Sequence, residues 1–246
     1  MKDSNLIYGR HPVLDAIQSG TTIDKLMLQQ GIRGEFEKEI RQLSKVHNIP
    51  VQVVPKERLN KVTRANHQGI IGYISAIRYY DLEDVLPMLY EKEEAPLILI
   101  LDGITDVRNM GAIARSAEVL GAHALVVPKK GSAMIGPDAV KTSAGALNIL
   151  PVCRENSLVK AVQYLINSGI QVLASDLKAE KQLSELDLIL PTAIIVGSEG
   201  KGTSPALIEE ANQHFVIPQK GETDSLNVSV ATGIMLYEVA QQRREK

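Results

Sequence analysis

The hydrophobic pattern divides the chain into two regions in which short apolar runs alternate with amphipathic segments. In the first region, apolar residues recur every three or four positions over Glu35–His47, which predicts a helix. In the second, the continuous apolar run Leu97–Leu101 is typical of a parallel strand that is covered on both faces. We therefore expect two consecutive α/β units.

The same patterns predict the remaining elements. Before residue 80, the predicted helices are His11–Gln18 and Lys56–Lys61, and the predicted strands are Lys25–Gln29, Val51–Val54 and Gly69–Ser75. After residue 96, the predicted strands are Ala124–Val127, Leu150–Cys153, Ile170–Ala174, Ala193–Val196 and His214–Ile217. The predicted helices of this region are Met110–Leu120, Leu158–Asn167, Pro205–Glu210 and Val228–Gln242. This order predicts a small α/β/α sandwich followed by a doubly wound parallel sheet.

The distribution of charge places a boundary near residue 80. Residues 1–80 carry 12 basic and 7 acidic side chains, a net charge of +5, whereas residues 81–95 have a net charge of −5. Residues 96–246 are nearly neutral, with a net charge of −2. We predict a basic unit over residues 1–78, an acidic linker over 79–95 with a short helix at Leu82–Tyr90, and a larger unit over 96–246.

Composition excludes several classes of protein. The 246 residues include one cysteine, Cys153, which rules out a disulfide framework within the chain and is expected to be a core residue. The absence of Trp and the presence of only two Phe argue against a single-strand binder built on aromatic stacking. We see no signal peptide and no apolar run near the ~20 residues of a membrane span, so we expect a cytoplasmic protein. No cluster of metal-ligand residues is visible, and no metal is expected.

Ligands of open parallel sheets bind beyond the carboxyl ends of the strands, which directs attention to three loops. The first loop begins at Asp102, and its Asn109 is placed as the N-cap of the next helix. Arg115 lies six residues further on, where a guanidinium would suit a phosphate or carboxylate. A capped helix with a solvated arginine explains this segment as well.

The second and third loops carry glycines and small polar residues. The second loop holds three glycines in Gly197–Gly202, which leave the backbone open to a ligand. Neither phosphate-binding glycine motif fits, because Lys201 is followed by glycine and the spacing of the glycines is wrong. A mobile glycine turn capped by Glu199 is the alternative interpretation. In the third loop, Ser225 and Asn227 crowd a helix start, and either one can be the N-cap.

Taken together, the three loops resemble the motifs of the SpoU (TrmH-type) RNA 2′-O-ribose methyltransferases. The matching segments are Asn109-x-Gly-x-x-x-Arg115, Val196-Gly-Ser-Glu-Gly-x-Gly202, and Ile217-Pro followed by Ser225-Leu-Asn-Val-Ser-Val-Ala231. Tyr8–Ile17 and His67–Gly69 resemble the L30e-like substrate-binding domain found in many members. Within the family, the architecture is most similar to enzymes that methylate a guanosine ribose in 23S ribosomal RNA.

The resemblance implies a homodimer with a deep trefoil knot of the SPOUT type at the C-terminal end, and S-adenosylmethionine as cofactor. It implies catalytic roles for Arg115, Asn109, Glu199, Ser225 and Asn227. It implies that the cofactor is bound by Gly197, Ser198, Gly200, Gly202, Ile217, Pro218 and Leu226. Because a free guanidinium is a poor base, we favour an electrostatic role for Arg115, and the identity of the general base stays open.

The first unit is expected to contact RNA. The candidate contacts are Arg10, His11, Arg64, His67 and Gln68, and the alternative for the two histidines is a structural role. Three further function classes remain as alternatives: a transfer-RNA enzyme of the same family, a non-catalytic RNA-binding protein, and a nucleotide-binding oxidoreductase or NTPase. The last is disfavoured because the corresponding glycine motifs are missing.

Overall fold

The structure, a computed structural model, describes residues 5–91, 94–221 and 225–244. It divides into two compact units. The first comprises the residues up to Arg78 together with Met134–Gly136, and the second comprises residues 79–133 and those from Pro137 onward. No helix among the described residues is both long and apolar enough to cross a bilayer.

The first unit is a sheet with helices on both faces. Its strands are β1 (Leu6–Tyr8), β2 (Ile23–Gln29), β3 (Val51–Val54) and β4 (Ile70–Ile74). Its helices are α1 (Arg10–Gln18), α2 (Glu35–Val46) and α3 (Lys56–Val62). Within the described residues the strand order is β1-β4-β2-β3, with β2 and β3 parallel and the other pairs antiparallel.

Alternation along β2 explains why helices are needed on both faces of this sheet. Leu26 and Leu28 pack into a cluster that contains Val13 of α1 and Ile40 of α2. Met27, between them, points to the opposite face and packs with Leu59 of α3. The arrangement confirms the predicted α/β/α sandwich.

The second unit is built on a parallel sheet. Its strands are β5 (Tyr79–Tyr80), β6 (Leu97–Leu101), β7 (Ala124–Pro128), β8 (Val152–Glu155), β9 (Gln171–Ser175), β10 (Thr192–Val196) and β11 (Gln213–Phe215). Its helices are α4 (Leu82–Tyr90), α5 (Val107–Val119), α6 (Pro137–Thr142), α7 (Leu158–Asn167), α8 (Pro205–Glu210) and α9 (Val228–Arg244). In the described part of the chain the strand order is β11-β9-β10-β6-β7-β8-β5, and every pair is parallel.

Strands β6 and β10 lie side by side in the middle of this sheet. Their registers end together, with Leu101 opposite Val196. The loops that follow the two strands therefore start next to each other at the carboxyl edge. One face of the sheet is covered by α4, α7 and α8. Helix α5 packs against both α6 and α9.

The acidic segment after residue 78 is part of the second unit and is not a separate linker. Tyr79 and Tyr80 pair with β8 at the sheet edge, and α4 buries Leu82, Val85 and Leu86 in the core. The acidic side chains of α4 face solvent because the apolar ones recur at helical spacing. The predicted helix at Leu82–Tyr90 is confirmed, whereas the linker over 79–95 is wrong for its described residues; residues 92–93 lie outside them.

The end of α9 is fastened to the amino ends of two strands through one arginine. The Arg243 guanidinium donates to the carbonyl oxygens of Leu188 (3.0 Å), Ala95 (2.6 Å), Pro96 (3.2 Å) and Leu190 (3.1 Å). Ala95 and Pro96 precede β6, while Leu188 and Leu190 precede β10. The opposite end of α9, at Val228, follows the third loop, so the helix connects this anchor to that loop.

Candidate active site

The second loop folds into a closed glycine turn directly after β10. Ser198 and Gly202 exchange two backbone hydrogen bonds, of 3.0 and 2.8 Å. A Cβ on Gly197 would lie 2.1 Å from both the carbonyl carbon of Gly202 and the nitrogen of Thr203. The tightness of this turn therefore requires glycine at position 197. Gly200 and Gly202 have φ values of +81° and +68°, which also favour glycine.

Asp102, the first residue after β6, ties the first loop to this turn. Its backbone N–H donates to the Val196 carbonyl (2.8 Å), and its carboxylate accepts from the Ser204 N–H (2.7 Å). Asp102, which directly follows the neighbouring strand β6, thus holds the glycine turn on both sides, at Val196 and at Ser204.

The first loop ends at a cap that differs from the predicted one. The Asp106 carboxylate accepts from the backbone N–H groups of Arg108 (2.6 Å) and Asn109 (3.2 Å), so Asp106 is the N-cap of α5. Asn109 lies inside the first turn of α5, so its side chain does not cap the helix and is available for other contacts. Gly111 has a packing role, because a Cβ there would lie 2.6 Å from the Cβ of Thr142 in α6.

The third loop supplies the cap of α9. Asn227 Oδ1 accepts from the backbone N–H of Ser229 (2.9 Å) and from its hydroxyl (2.6 Å). Of the two residues proposed from the sequence, Asn227 is therefore the cap. Because its oxygen is held by these donors, its NH₂ group is directed away from the helix. Ser225 is exposed, and residues 222–224 of this loop lie outside the described residues.

Asn109, Glu199 and Asn227 meet in a cluster that we call the loop triad. Asn227 donates to Asn109 Oδ1 (3.2 Å) and to Glu199 Oε1 (3.4 Å). Asn109 in turn donates from Nδ2 to Glu199 Oε2 (3.3 Å). Each carboxylate oxygen of Glu199 thus accepts one amide hydrogen bond, and among the described residues the Glu199 carboxylate accepts none from the backbone of the glycine turn, so it is not the cap. The triad presents an oriented, solvent-exposed carboxylate with lone pairs left for a hydroxyl or a cation.

The other candidates of the second unit differ in their exposure to solvent. Arg115 is exposed on α5, and within the described residues it makes no hydrogen bond or ion pair. Leu226, next to Asn227, is 38% exposed. Ile217 is half-buried and Pro218 is exposed, just beyond the end of β11. Two functional residues were not predicted from the sequence: Asp106, which accepts from the backbone N–H of Asn109, and Ser229, which donates to Asn227. The position of Asp106, an acid directly before α5, was a signal that could have identified it.

The RNA candidates of the first unit have different environments. His67 is buried (6% exposed) and structural: Nδ1 accepts from the Gly69 N–H (3.0 Å), and Nε2 donates to Asn60 Oδ1 (2.9 Å). This ring has no nitrogen left for RNA. Arg10, His11 and Gln68 are exposed and line one cleft beside it. Arg64 is also exposed but does not line that cleft.

Comparison with known proteins defines the class of this chain. The model of the SpoU rRNA Methylase family matches residues 96–237, and the model of RNA 2′-O ribose methyltransferase substrate binding matches residues 6–80. The first match falls largely in the second unit and the second match largely in the first unit. The chain is an RNA methyltransferase.

Relatives extend the match over nearly the whole chain. A Staphylococcus aureus protein assigned to the TrmH family of tRNA/rRNA methyltransferases is 35% identical over 243 residues, 99% of this chain and 98% of the relative. A crystal structure of an AdoMet-bound rRNA methyltransferase from Sinorhizobium meliloti is 26% identical, with a TM-score of 0.62, and covers 97% of this chain and 87% of that one. The A. aeolicus TrmH/SpoU tRNA modifying enzyme is 34% identical, with a TM-score of 0.57, and covers 67% of this chain and 85% of that one. This chain belongs to the SpoU family.

Proposed function

We propose that this enzyme transfers a methyl group from S-adenosylmethionine to the ribose 2′-OH of a guanosine in 23S ribosomal RNA. The observation that carries the proposal is the loop triad, which places an oriented carboxylate beside a glycine turn at the carboxyl edge of a parallel sheet. The ribosomal target is supported by the Sinorhizobium meliloti rRNA enzyme, which matches both units of this chain. Transfer RNA is the second candidate, favoured by the similarity to the A. aeolicus tRNA enzyme.

The residues of the second and third loops fit the proposed cofactor. Positions 200 and 202 have open space where a side chain would stand, and the backbone there is free to approach a flat ligand. Leu226 offers an exposed apolar surface next to the triad. An apolar wall with a few backbone hydrogen-bonding groups suits adenine. Gly197, Ser198, Ile217 and Pro218 would complete the site, and the cofactor would supply an electrophilic methyl group on a sulfonium.

The chain's own residues would align the ribose and stabilise its charge. Glu199 would accept the hydrogen bond of the ribose hydroxyl, with Asn109 and Asn227 fixing the carboxylate. Alignment of this kind can lower a barrier by about 7–11 kcal/mol. Arg115 would hold the adjacent phosphate and stabilise the developing alkoxide, because a guanidinium binds a phosphate through two parallel N–H groups. Ser225 would contact the substrate from the third loop.

We also propose that two copies of the chain associate, and that the C-terminal chain forms the family's trefoil knot. Val230, Ile234 and Tyr237 lie on one stripe of α9 and are 52%, 42% and 56% exposed. Ile234→Glu should therefore shift the mass measured by light scattering from two chains to one. Met88→Glu, at an exposed apolar residue of α4, is the control. An unchanged mass in Ile234→Glu would remove α9 as the interface.

We place this enzyme in the cytoplasm, with its RNA.

The test of the function is methyl transfer with mapping of the product. The protein is incubated with labelled S-adenosylmethionine and with unmodified 23S or transfer RNA, and any labelled ribose is located. Label in 23S RNA alone, lost in Arg115→Ala and not restored in Arg115→Lys, is the expected result. Label in transfer RNA alone would keep the reaction and overturn the target. Absence of label in both, with no cofactor binding by calorimetry, would favour a non-catalytic RNA-binding protein.

A further inference from the structure

A polar cleft of about 660 Å³ opens on the first unit. Its size lies within the range of pockets that hold small ligands, about 300–1,000 Å³. The cleft is lined by the amino ends of α1 and α3 and by the segment that leads into β4. Its lining includes the cations Arg10 and Lys56, and no acidic residue is among the described residues that line it. The charge of the cleft therefore favours an anion.

Four side-chain amides line the cleft: Gln29 at the end of β2, and three others that we call the pocket carboxamides, Asn60, Asn66 and Gln68. Two of them are held by their oxygens. Asn60 Oδ1 accepts from His67 Nε2 (2.9 Å), and Gln68 Oε1 accepts from the Arg10 backbone N–H (2.9 Å). Because the oxygens are engaged, the NH₂ groups are the ends left for a ligand. Gln68 itself adopts a left-handed backbone conformation, with φ of +50°.

The two cations of the cleft are placed differently. The Arg10 guanidinium carbon lies 4.7 Å from the centroid of the Phe36 ring, a cation–π contact that orients the group, and within the described residues its N–H groups make no hydrogen bond. Lys56 is exposed in the first turn of α3, one helical turn before Asn60 and therefore on the same face. A cation and an oriented amide donor thus lie next to each other on one helix.

We propose that this cleft binds one unpaired nucleotide of the RNA substrate, with Arg10 and Lys56 on its phosphate and the pocket carboxamides on the edge of its base. The proposal rests on the proposed function, since it assumes that RNA is the substrate. Amide NH₂ donors directed at the position of the 6-substituent of a purine or the 4-substituent of a pyrimidine select bases that carry an acceptor there. Guanine O6 and uracil O4 are therefore favoured over adenine and cytosine, which carry an amino group at that position.

The experiment compares the affinity of the full chain for two RNA hairpins with the same loop, one with a fully paired stem and one with a single unpaired nucleotide in the stem. The unpaired position is varied through all four bases. The wild-type protein should bind the hairpin with unpaired G or U about two- to tenfold more tightly than the paired one, the factor expected of one net hydrogen bond.

Gln68→Glu is the sharpest variant, because it keeps the oxygen that accepts from Arg10 and replaces the NH₂ donor by an oxygen. It should abolish the preference for the unpaired base. Gln52→Glu, an exposed residue of β3 outside the cleft, makes the same change of charge and should keep it. Lys56→Ala should reduce the slope of log affinity against log salt concentration by about one. Lys61 lies on the same helix but outside the cleft, and Lys61→Ala should retain the base preference.

The outcomes separate the cleft from the reaction, because methyl transfer to RNA is measured on the same preparation. Equal affinity for the two hairpins, in a wild-type protein that transfers methyl groups, would overturn the cleft proposal and leave the function standing. A preference that survives in Gln68→Glu would also overturn it. Absence of methyl transfer to any RNA would overturn the proposed function itself. Thermal unfolding of each variant checks that it is folded.

Discussion

Replacing Gly197 by alanine should destroy the glycine turn while leaving the rest of the second unit folded. The added Cβ would lie 2.1 Å from the Gly202 carbonyl carbon, whereas carbon atoms in contact are about 3.5–4.0 Å apart. The backbone must therefore move by about 1.5 Å. This movement breaks the two hydrogen bonds between Ser198 and Gly202, worth about 1 kcal/mol each. Overpacking adds about 1–3 kcal/mol.

If the turn binds S-adenosylmethionine as proposed, a turn opened in this way would no longer present its backbone to the cofactor, and cofactor binding should fall by at least about 100-fold, or roughly 2.7 kcal/mol. Calorimetry measures this loss. The unfolding midpoint should drop by roughly 6–20 °C if the full cost of about 3–5 kcal/mol falls on the folded state, at about 2–4 °C per kcal/mol for a chain of this size.

Gly136→Ala is the matched control for this substitution. A Cβ at Gly136 meets only an ordinary contact, 3.8 Å from Asn5, and the residue belongs to the first unit. Both its cofactor affinity and its unfolding midpoint should equal those of the wild type. If Gly197→Ala also bound the cofactor within twofold of wild type, the closed turn would be irrelevant to the site, and the assignment of Gly197 would be refuted.

Three further predictions concern stability and reactivity. Arg243→Ala should lower the free energy of unfolding by about 3–5 kcal/mol, since it leaves several carbonyl oxygens without their charged donor; urea denaturation tests this, and an unchanged midpoint would contradict the anchor. Burial raises the pKa of Cys153 to about 12, so its thiol should react with a disulfide reagent at pH 8 only after denaturation; rapid reaction of the native protein would contradict this. Burial also raises the pKa of Glu155, so the stability it contributes is complete below the unfolded pKa near 4 and is lost as the pH rises through the folded value. Glu155→Gln keeps an acceptor for the Leu82 N–H. Its unfolding temperature should therefore rise relative to that of the wild type between about pH 4 and 7. A difference in unfolding temperature that does not change with pH would refute the assignment.

Elements with a strong local pattern could be predicted from the sequence, whereas elements set by tertiary packing could not. Leu97–Leu101, Leu158–Asn167 and Pro205–Glu210 have the predicted bounds, because an apolar run or an amphipathic period decides them. Strand β1 has three residues, and α6 has six in a glycine-rich region, so neither carries a usable period. Helix α6 instead owes its place to close packing on Gly111.

The members of the candidate site were accessible from the sequence, but their connections were not. Asn109, Glu199 and Asn227 follow from the loops and from the family resemblance. Their mutual hydrogen bonds depend on β6 and β10 being neighbours, which no local pattern states. The misassigned cap has a similar cause: Asp106 and Asn109 are both good capping residues, and only the path of the loop selects Asp106. His67, a candidate RNA contact with a structural role as the alternative, has the structural role, because both of its ring nitrogens are hydrogen-bonded within the first unit.

The loop triad joins positions that are remote along the chain. Asn109 and Asn227 are 118 residues apart, and Asn109 and Glu199 are 90 apart. Contacts of such high order form slowly, and these three residues meet only when the parallel sheet between them is complete. A cofactor bound at the proposed site beside the triad would add stability to the folded chain and to none of its partly folded forms. The supply of cofactor should therefore govern how long the enzyme survives proteolysis in the cell, as well as how fast it turns over.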